Sequence, residues 1–344
     1  DILRKENVTE DREMKILVIG KEGRLQNNAD PAVYAKHEFT YVPNGSDDET
    51  ILAAGKDAEV IIVDAMGKVS ANVINHMPKL KMIHSEGVGF QGVDTIAASA
   101  KQIYVCNCKG MNATAVAEQA ILLMLGLLRG IVTGDQAVRE GRQIEVKENH
   151  MLTGDLKELA DCTIGFMGFG DIAKAAAKMA DVFGAKIVYY DIFRASEAVE
   201  KEYKATFMSV DELLKVSDIV SLHLPVTPQT AGMVDGGFLA KMKEGAYLVN
   251  TARGELVDSE ALVEAIRNGK LAGAGLDCVA GEPVQADNVI LKAEKAVEDK
   301  IIYSCHVGGI TASSFKRGYA MIWSDIAKIE AGEKPEHIVN RRDV

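Results

Sequence analysis

Arg253, Glu282 and His306 have side chains suited to acid–base and carboxylate chemistry, and each comes shortly after a predicted strand. An arginine offers a forked set of donors that matches a carboxylate and stays charged at any working pH. A histidine transfers protons near neutral pH, and a neighbouring carboxylate stabilises its protonated form and fixes its tautomer. Together they could bind a 2-oxo acid, polarise its carbonyl and protonate the alkoxide that hydride transfer creates. The hypothesis depends on their successive strand-end positions, because each residue alone is typical of a surface loop.

A glycine motif predicts a site for the hydride donor. The motif Gly168-x-Gly170-x-x-Ala173 lies between a predicted apolar strand and a predicted helix. Gly168 permits a tight turn, Gly170 lets a pyrophosphate approach the backbone, and Ala173 is small enough for close helix–strand packing. The helix N-terminus then faces the phosphate charge. With this strand–turn–helix context the motif predicts dinucleotide binding.

Asp191 ends the strand that follows this motif. A carboxylate at that position can accept hydrogen bonds from both ribose hydroxyls and repel a 2′-phosphate, so the sequence predicts NAD as the cofactor. Arg194, three positions later, leaves acceptance of NADP open, because a guanidinium can bind a phosphate.

The chemistry-bearing residues need a scaffold of alternating strands and helices. Strands are predicted at Lys15–Gly20, Glu59–Asp64, Lys81–His84, Ile103–Cys108, Cys162–Met167, Lys186–Asp191, Asp218–His223, Ala246–Asn250, Ala272–Asp277 and Ile301–Ser304. Helices are predicted at Ala113–Gly130, Asp171–Phe183, Val210–Val216, Gly237–Lys241, Ser259–Asn268 and Ser313–Glu330. This alternation predicts an α/β protein with doubly wound parallel sheets.

The glycine motif lies in the middle of the chain, so another domain precedes it. We expect two Rossmann-like domains, with the cofactor domain inserted in the substrate domain. Residues 1–112 plus 314–344 would form the substrate domain, and residues 113–313 the NAD-binding domain. The nearly continuous apolar character of the helix at Ala113–Gly130 predicts burial between domains or subunits.

Composition and charge exclude several classes of protein. A net charge of −11 argues against nucleic acid or an anionic membrane as a partner. The longest strongly apolar run, Ala120–Leu128, is too short to span a bilayer, and the mostly charged segment Asp1–Lys15 shows no signal-peptide pattern. The five cysteines lack metal-type or disulfide spacing; Cys106 and Cys108 are expected to lie on one strand face as buried thiols. These features favour a cytoplasmic protein, and no metal site is expected.

The sequence resembles the D-isomer-specific 2-hydroxyacid dehydrogenase family over almost its whole length. The matching stretches are Ser85–Phe90, Asn112–Glu118, Gly165–Ala173, His223–Pro225, Asn250–Gly254, Ala274–Asp277, Gly281–Pro283 and His306–Gly309. The resemblance implies two Rossmann-like domains with a cleft between them, NAD as cofactor, a small 2-oxo or 2-hydroxy acid as substrate, and a homodimer.

The resemblance also implies roles for individual residues. Arg253 would bind and polarise the substrate, His306 would donate the proton, and Glu282 would support His306. The backbone amides of Val88 and Gly89 would hold the substrate carboxylate. The implied cofactor-binding residues are Gly168, Phe169, Gly170, Asp171, Ile172, Asp191, His223, Leu224, Pro225, Thr251, Ala252, Arg253, Asp277, His306 and Gly308. Among these, Asp277 would bond the nicotinamide carboxamide.

The chain departs from the family pattern at a few positions. Asp171 replaces the frequent arginine of the glycine motif, and an acid near a pyrophosphate is unfavourable unless it faces solvent. Gln91–Gly92 replaces the usual Asp-Asn pair, which puts the geometry of that loop in doubt. Glu86 and Asp64 are predicted on loops that flank the carboxylate site, where they would repel acidic substrates or simply face solvent.

Other functions share much of this pattern. A relative that oxidises phosphite stays possible, whereas Glu282 argues against formate, since formate-type relatives carry glutamine at that position. An NAD-sensing corepressor-like protein with the same fold also stays possible, although no partner-binding segment is evident. An L-specific lactate or malate dehydrogenase is excluded, because its glycine motif would lie near the N-terminus.

Overall fold

The computed structural model describes residues 13–340 of the chain. Most of the charged segment Asp1–Lys15 therefore lies outside the described residues. The chain divides into two compact units: the first contains the chain up to Asn112 and from Ala312 onward, and the second contains Ala113–Thr311. The second unit is thus inserted in the first.

The first unit is a five-stranded parallel sheet flanked by helices. Its strands are β1 (Lys15–Ile19), β2 (Glu38–Val42), β3 (Val60–Val63), β4 (Met82–Ser85) and β5 (Tyr104–Cys106). Its helices are α1 (Arg24–Asn27), α2 (Pro31–Tyr34), α3 (Asp48–Gly55), α4 (Ala71–His76), α5 (Thr95–Ala100) and, from the end of the chain, α15 (Ala312–Glu330).

The strand order of the first unit, β2-β1-β3-β4-β5, reverses between β1 and β3. β3 and β4 are buried at every position, as expected of parallel strands covered on both faces. Residues that follow β1, β3 and β4 therefore meet at the carboxyl edge of the sheet, beside the reversal, where ligands of doubly wound sheets bind.

The second unit is a seven-stranded parallel sheet. Its strands are β6 (Thr163–Met167), β7 (Lys186–Tyr190), β8 (Ala205–Phe207), β9 (Ile219–Leu222), β10 (Ala246–Asn250), β11 (Leu271–Leu276) and β12 (Ile301–Tyr303). Its helices are α6 (Ala113–Leu128), α7 (Ile131–Arg139), α8 (Gln143–Thr153), α9 (Asp171–Val182), α10 (Glu197–Glu202), α11 (Val210–Val216), α12 (Gly236–Lys241), α13 (Ser259–Arg267) and α14 (Lys295–Glu298).

The order β12-β11-β10-β9-β6-β7-β8 reverses between β6 and β9. This is the Rossmann arrangement, in which a dinucleotide lies across the carboxyl ends of the strands at the reversal. The glycine motif follows β6 and His223 follows β9, so both lie at this point. The predicted fold class, two doubly wound domains with one inserted in the other, is confirmed.

Helix α6 packs inside its own unit, against α9 and strands β10–β12. Buried alanines on both helices allow a close approach, among them Ala117 and Ala120 on α6 and Ala173 and Ala177 on α9. The buried face of α6 is therefore covered by elements of its own unit, while Leu122 on α6 is 60% exposed, and burial of this helix between domains or subunits stays a prediction.

No single described helix is long and apolar enough to cross a membrane. Helices α6 and α7 meet the length and composition criteria only as a pair, and the pair is bent by 59°.

Some elements differ from the sequence predictions. β2 and β8 were not predicted, and both are short strands at the edge of a sheet with exposed positions that weaken the apolar pattern. The helices α7 and α8 were also not predicted. β5 ends at Cys106, so Cys108 lies in the following turn, although both thiols are buried as expected.

Candidate active site

The glycine motif forms the turn between β6 and α9. Gly168 has φ +90°, and a Cβ on it would lie 2.5 Å from the carbonyl oxygen of His223, so only glycine fits. Gly170 caps α9 and has open space around it. Ala173 is fully buried, Ile172 is half-buried in the first turn, and Asp171 is exposed. Asp171 thus faces solvent, where it causes little repulsion and suits the positive end of the helix dipole.

Asp191 is held by two backbone amides. Its Oδ2 accepts a hydrogen bond from Phe169 N at 2.8 Å, and its Oδ1 accepts one from Phe193 N at 3.1 Å. A carboxylate oxygen accepts more than one hydrogen bond, so both oxygens keep capacity for ribose hydroxyls. The carboxylate is fixed beside the glycine turn before any ligand arrives.

Arg194 pairs with Glu200 rather than pointing toward Asp191. Two of its nitrogens bond the Glu200 carboxylate at 2.8 and 2.9 Å, and the guanidinium lies 5.5 Å from the centre of the Phe207 ring. The hydrogen bonds from Arg194 and Tyr189 lower the pKa of Glu200 to about 2. Arg194, the residue for which the sequence left acceptance of NADP open, is therefore already paired with Glu200.

The loop after β9 lies against the glycine turn. His223 Nε2 contacts Ser221 Oγ at 2.9 Å, and burial lowers the pKa of His223 to about 3, so the imidazole is neutral. The Leu224 side chain would lie 3.0 Å from a Cβ on Gly168. Pro225 is exposed, and its carbonyl oxygen accepts a hydrogen bond from Thr230 Oγ1. These residues form one wall of the turn.

Arg253 projects from the loop that follows β10. Buried Asn250 braces this loop, because its amide donates to Arg253 O at 2.8 Å and accepts from Ala252 N at 3.0 Å. The exposed guanidinium donates to Ala252 O at 2.7 Å. A Cβ on Gly254 would lie 2.1 Å from the Val279 carbonyl carbon, so the Arg253 loop packs directly against the segment that leads to Glu282.

Thr251, in the same loop, is buried, and its Oγ1 has no hydrogen-bond partner among the described residues. An unpaired buried hydroxyl is costly, so a polar group of a ligand would stabilise it.

Glu282 and His306 form a hydrogen-bonded ion pair. Glu282 Oε2 lies 2.6 Å from His306 Nδ1, and Glu282 Oε1 accepts a hydrogen bond from Val279 N at 2.9 Å. Because a carboxylate only accepts, Nδ1 carries a proton and Nε2 is the nitrogen left for a reacting group. His306 has φ +54°, an unusual conformation for a residue with a side chain, which fixes the direction of the imidazole.

Asp277 anchors the loop that contains His306. Its Oδ1 accepts from Ser304 Oγ at 2.6 Å and from Val307 N at 3.0 Å, and its Oδ2 accepts from Gly308 N at 2.8 Å. Gln119 donates in turn to Ser304. Sequence reasoning missed this bracing by Ser304 and Gln119, since Gln119 comes from distant α6 and no local pattern links it to the loop.

In the first unit, Val88 and Gly89 lie in the loop after β4. Their carbonyl oxygens are held by Asn107 Nδ2 at 2.7 Å and Ser85 Oγ at 2.5 Å. Within residues 13–340, neither backbone N–H donates to an acceptor. Gln91, one of the departures from the family pattern, supports the loop by accepting a hydrogen bond from Phe90 N. The loop therefore presents free amide donors from a fixed backbone.

Glu86 and Asp64 lie near that loop and share a cation. Arg24 Nη1 bonds Asp64 Oδ2 at 2.7 Å and lies 3.6 Å from Glu86 Oε2, while Tyr319 donates to Glu86 Oε1 at 3.0 Å. Burial raises the pKa of Glu86 despite these partners. The alternative that Glu86 faces solvent is wrong, because its side chain is only 5% exposed. No local pattern linked Arg24 or Tyr319 to these acids.

Comparison with known proteins identifies the family. The sequence profile for the NAD binding domain of D-isomer specific 2-hydroxyacid dehydrogenases matches residues 121–308, more than half of the chain. The chain belongs to the D-isomer-specific 2-hydroxyacid dehydrogenase family. It is therefore an NAD-dependent oxidoreductase that acts on 2-oxo or 2-hydroxy acids, as the sequence predicted.

Several members of this family align over most of the chain. Identity is 35% over 293 residues with glyoxylate reductase of Thermofilum pendens, covering 85% of this chain and 84% of the relative. It is 33% over 293 residues with hydroxypyruvate reductase of Thermotoga maritima, covering 85% and 92%. The apo structure of Rhodotorula graminis D-mandelate dehydrogenase superimposes with a TM-score of 0.81 at 26% identity, covering 95% of this chain and 98% of that one.

The residues at the β6–β9 reversal fit the NAD that this family uses. The glycine turn leaves open space at Gly170 in front of a helix N-terminus, which suits a pyrophosphate. Asp191 offers fixed acceptors for a ribose, and Thr251 offers an unpaired buried hydroxyl. The predicted cofactor, NAD, is confirmed at the level of the family.

Proposed function

We propose that the protein reduces a small 2-oxo acid without a second acidic group to the D-2-hydroxy acid, using NADH. The names of its relatives include glyoxylate and hydroxypyruvate, and we propose a substrate of about that size. The observation that carries the proposal is the 2.6 Å pair between Glu282 and His306, on loops that follow neighbouring strands. Arg253 follows the next strand of the same sheet edge.

The proposed catalytic roles follow from the side chains. His306 donates the proton from Nε2 to the developing alkoxide, because Nδ1 is occupied by Glu282. Glu282 holds the ring in that orientation through its contact with Nδ1. Arg253 binds the substrate and polarises its carbonyl, for which its exposed guanidinium must turn from Ala252 O toward the substrate. In the first unit, the free amides of Val88 and Gly89 bind the substrate carboxylate.

The proposed cofactor site lies at the β6–β9 reversal. NADH supplies the hydride when bound. Phe169, Gly170, Asp171 and Ile172 would surround the pyrophosphate, and Asp191 would bind the ribose. His223, Leu224, Pro225, Thr251 and Ala252 would line the remaining surface. Asp277 would use its remaining acceptor capacity for the nicotinamide carboxamide, while it anchors Gly308.

Charge in the first unit supports a substrate with a neutral side chain. Glu86 and Asp64 share one arginine, so this edge of the sheet carries an excess of negative charge when Glu86 is ionised, at a pH above its raised pKa. A second carboxylate or a phosphate would be repelled there, and repulsion is strong where water is partly excluded. We accordingly assign this unit to substrate binding.

We further propose that the protein is a homodimer. Apolar side chains of the second unit stay exposed on the α6–α8 patch, which we define as Leu122, Ile131, Val138, Ile144, Met151 and Leu152. Leu152 is 87% exposed. Exposed apolar side chains grouped on consecutive helices are typical of an interface, and the occupant we propose is the same patch on a second copy.

The proposal is tested by following NADH oxidation with a panel of 2-oxo acids. We expect glyoxylate, hydroxypyruvate and pyruvate to exceed oxaloacetate and phosphohydroxypyruvate in kcat/KM. Arg253→Ala should lower kcat/KM roughly a hundred- to thousand-fold, because a charged donor to the reacting oxygen is lost. The matched control is Arg267→Ala, which removes an exposed arginine paired with Glu264 and Glu294 on the same unit. Equal activities of the two variants would contradict the role of Arg253.

A further inference from the structure

His84, Asp325 and His337 come together inside the first unit. One possible ligand atom of each lies within 4.8 Å of the other two. His84 and Asp325 are fully buried, and the His337 side chain is 23% exposed. They come from β4, from helix α15 and from the segment that directly follows α15, so two neighbouring segments of the chain meet a strand that is far from them in sequence.

The hydrogen bonds of His84 leave one ring nitrogen without a partner. Nδ1 lies 2.8 Å from the carbonyl oxygen of Ser85 and must donate to it. Nε2 of a neutral ring then carries a lone pair, and it is buried with no hydrogen-bond partner among the described residues. It faces Asp325 Oδ2 at 3.3 Å. Two lone pairs facing each other in a buried site need a cation between them, which is either a proton, giving an imidazolium–carboxylate pair, or a metal ion.

Two of the three separations between ligand atoms are compatible with a tetrahedral metal ion. Zinc binds imidazole nitrogen and carboxylate oxygen at about 2.0–2.2 Å, which places tetrahedral ligand atoms roughly 3.3 Å apart. The separations are 3.3 Å from His84 Nε2 to Asp325 Oδ2 and 2.9 Å from His337 Nδ1 to the same oxygen, and the two imidazole nitrogens lie within 4.8 Å of each other. A backbone carbonyl on the far nitrogen of His84 is also the usual outer partner of a metal-binding histidine.

We propose that His84 Nε2, Asp325 Oδ2 and His337 Nδ1 bind a divalent transition-metal ion of the zinc type. His337 would carry its proton on its other ring nitrogen, and water on the partly exposed side would complete the coordination. Asp325 Oδ1 stays engaged with Glu336 N at 2.8 Å and keeps the carboxylate in place.

The metal would fasten the end of the chain to the sheet. The segment after α15 already pairs with β5, since Val339 N donates to Val105 O and Asn107 N donates to His337 O. A metal would link this segment, through His337, to α15 and β4. β4 ends at Ser85, whose hydroxyl donates to Gly89 O. The role is therefore structural, and it does not depend on the proposed function.

The test measures metal binding after chelator treatment and dialysis. Zinc chloride is added to wild type, His337→Gln and His150→Gln, and bound zinc is measured by mass spectrometry and calorimetry. His150 is a matched control, because it pairs with Asp155 at 2.8 Å on the second unit. We expect one zinc per chain in wild type and His150→Gln, and at least tenfold weaker binding in His337→Gln. Zinc should raise the melting temperature of the first two proteins alone.

Two further variants locate the site. A second cluster also has ligand atoms within 4.8 Å of one another, and its residues are Cys278, Glu282 and His306. The variant His306→Asn tests whether zinc binds at this second cluster. If the proposal is right, His306→Asn should keep the one tightly bound zinc. The fold of Asp325→Asn is checked by circular dichroism, because Asp325 is buried and its replacement can cause misfolding. Cobalt bound in place of zinc should give wild type the absorption bands of a tetrahedral site, and His337→Gln should lack these bands. Absence of stoichiometric zinc, or equal binding by His337→Gln and wild type, would overturn the proposal.

Discussion

At the scale of single residues, the Glu282–His306 pair sets which ring nitrogen faces a reacting group. The Glu282 carboxylate lies 2.6 Å from Nδ1 and only accepts hydrogen bonds, so it keeps a proton on Nδ1 and leaves Nε2 for the reacting group. In the proposed reaction, Nε2 gives its proton during reduction of a 2-oxo acid and takes one during oxidation of a hydroxy acid. A change in that carboxylate should therefore affect both directions of catalysis.

We expect Glu282→Gln to lower kcat/KM roughly tenfold in both directions, because the charge-assisted hydrogen bond to Nδ1 is replaced by a weaker neutral one that also permits the other tautomer. The measurement is kcat/KM for reduction and for oxidation at one fixed pH, with Glu298→Gln as a control on an exposed helix. Values equal to those of wild type in both directions would show that Glu282 does not act through His306.

Glu86 gives a second residue-scale prediction, on substrate choice. Glu86→Gln keeps an acceptor for Tyr319 and leaves Arg24 to Asp64, while it removes one of two acids. We expect the ratio of kcat/KM for oxaloacetate to that for hydroxypyruvate to rise severalfold at pH 8. Asp48→Asn is a control, because Asp48 lies on α3 and bonds Ser70 and Asn72. An unchanged ratio would mean that Glu86 is not near the substrate side chain.

At the scale of elements, we expect the connection from β7 to α10 to set the choice between NAD and NADP. Asp191 is fixed after the end of β7, and Arg194 is bonded to Glu200 of α10. The Arg194 side chain is 60% exposed, and a pair with an exposed cation contributes little, so we do not expect Glu200 alone to keep Arg194 from a phosphate. We expect the repulsion between Asp191 and a 2′-phosphate to be the stronger factor.

We therefore expect Asp191→Ala to raise the efficiency with NADPH relative to NADH by at least tenfold. Glu200→Gln, which loosens Arg194, should change that ratio much less, and the double variant should favour NADPH most. The ratio of kcat/KM with the two cofactors is the measurement. A larger effect of Glu200→Gln than of Asp191→Ala would reverse this assignment.

The sequence predicted those elements whose apolar pattern is continuous. β10 and α11 have the predicted bounds, and the strands of both sheet centres lie within two residues of prediction, because buried parallel strands form nearly continuous apolar runs. Edge strands such as β2 are half-exposed and gave no such pattern. The proximity of the Glu282 and His306 loops could be predicted, because both loops follow parallel strands whose carboxyl ends lie at one edge of the sheet.

Contacts made across long sequence separations could not be predicted. Asp325 meets His84 only because α15 packs on the first sheet, and the expectation of no metal site considered cysteine spacing alone. Tyr319 on Glu86 and Gln119 on Ser304 arise in the same way. Each depends on the direction of a helix face, which a single sequence does not specify.

At the scale of the whole molecule, the α6–α8 patch is the interface that we propose between copies. Ile144, Met151 and Leu152 on α8 are each more than 60% exposed. Burying such side chains contributes about 1.5–3 kcal/mol each, and a twofold axis doubles the number buried. The patch can therefore supply the apolar centre of a stable dimer.

Leu152→Glu should accordingly convert the protein to a monomer at micromolar concentration, because each interface would bury two carboxylates without partners. Light scattering during size-exclusion chromatography should give twice the chain mass for wild type and the single chain mass for the variant. Val182→Glu is the matched control, since Val182 is 84% exposed at the end of α9 and outside the patch. It should remain dimeric. Circular dichroism of both variants checks that the fold is kept. A monomeric wild type, or a Leu152→Glu variant that stays dimeric, would show that the α6–α8 patch is not the interface between copies.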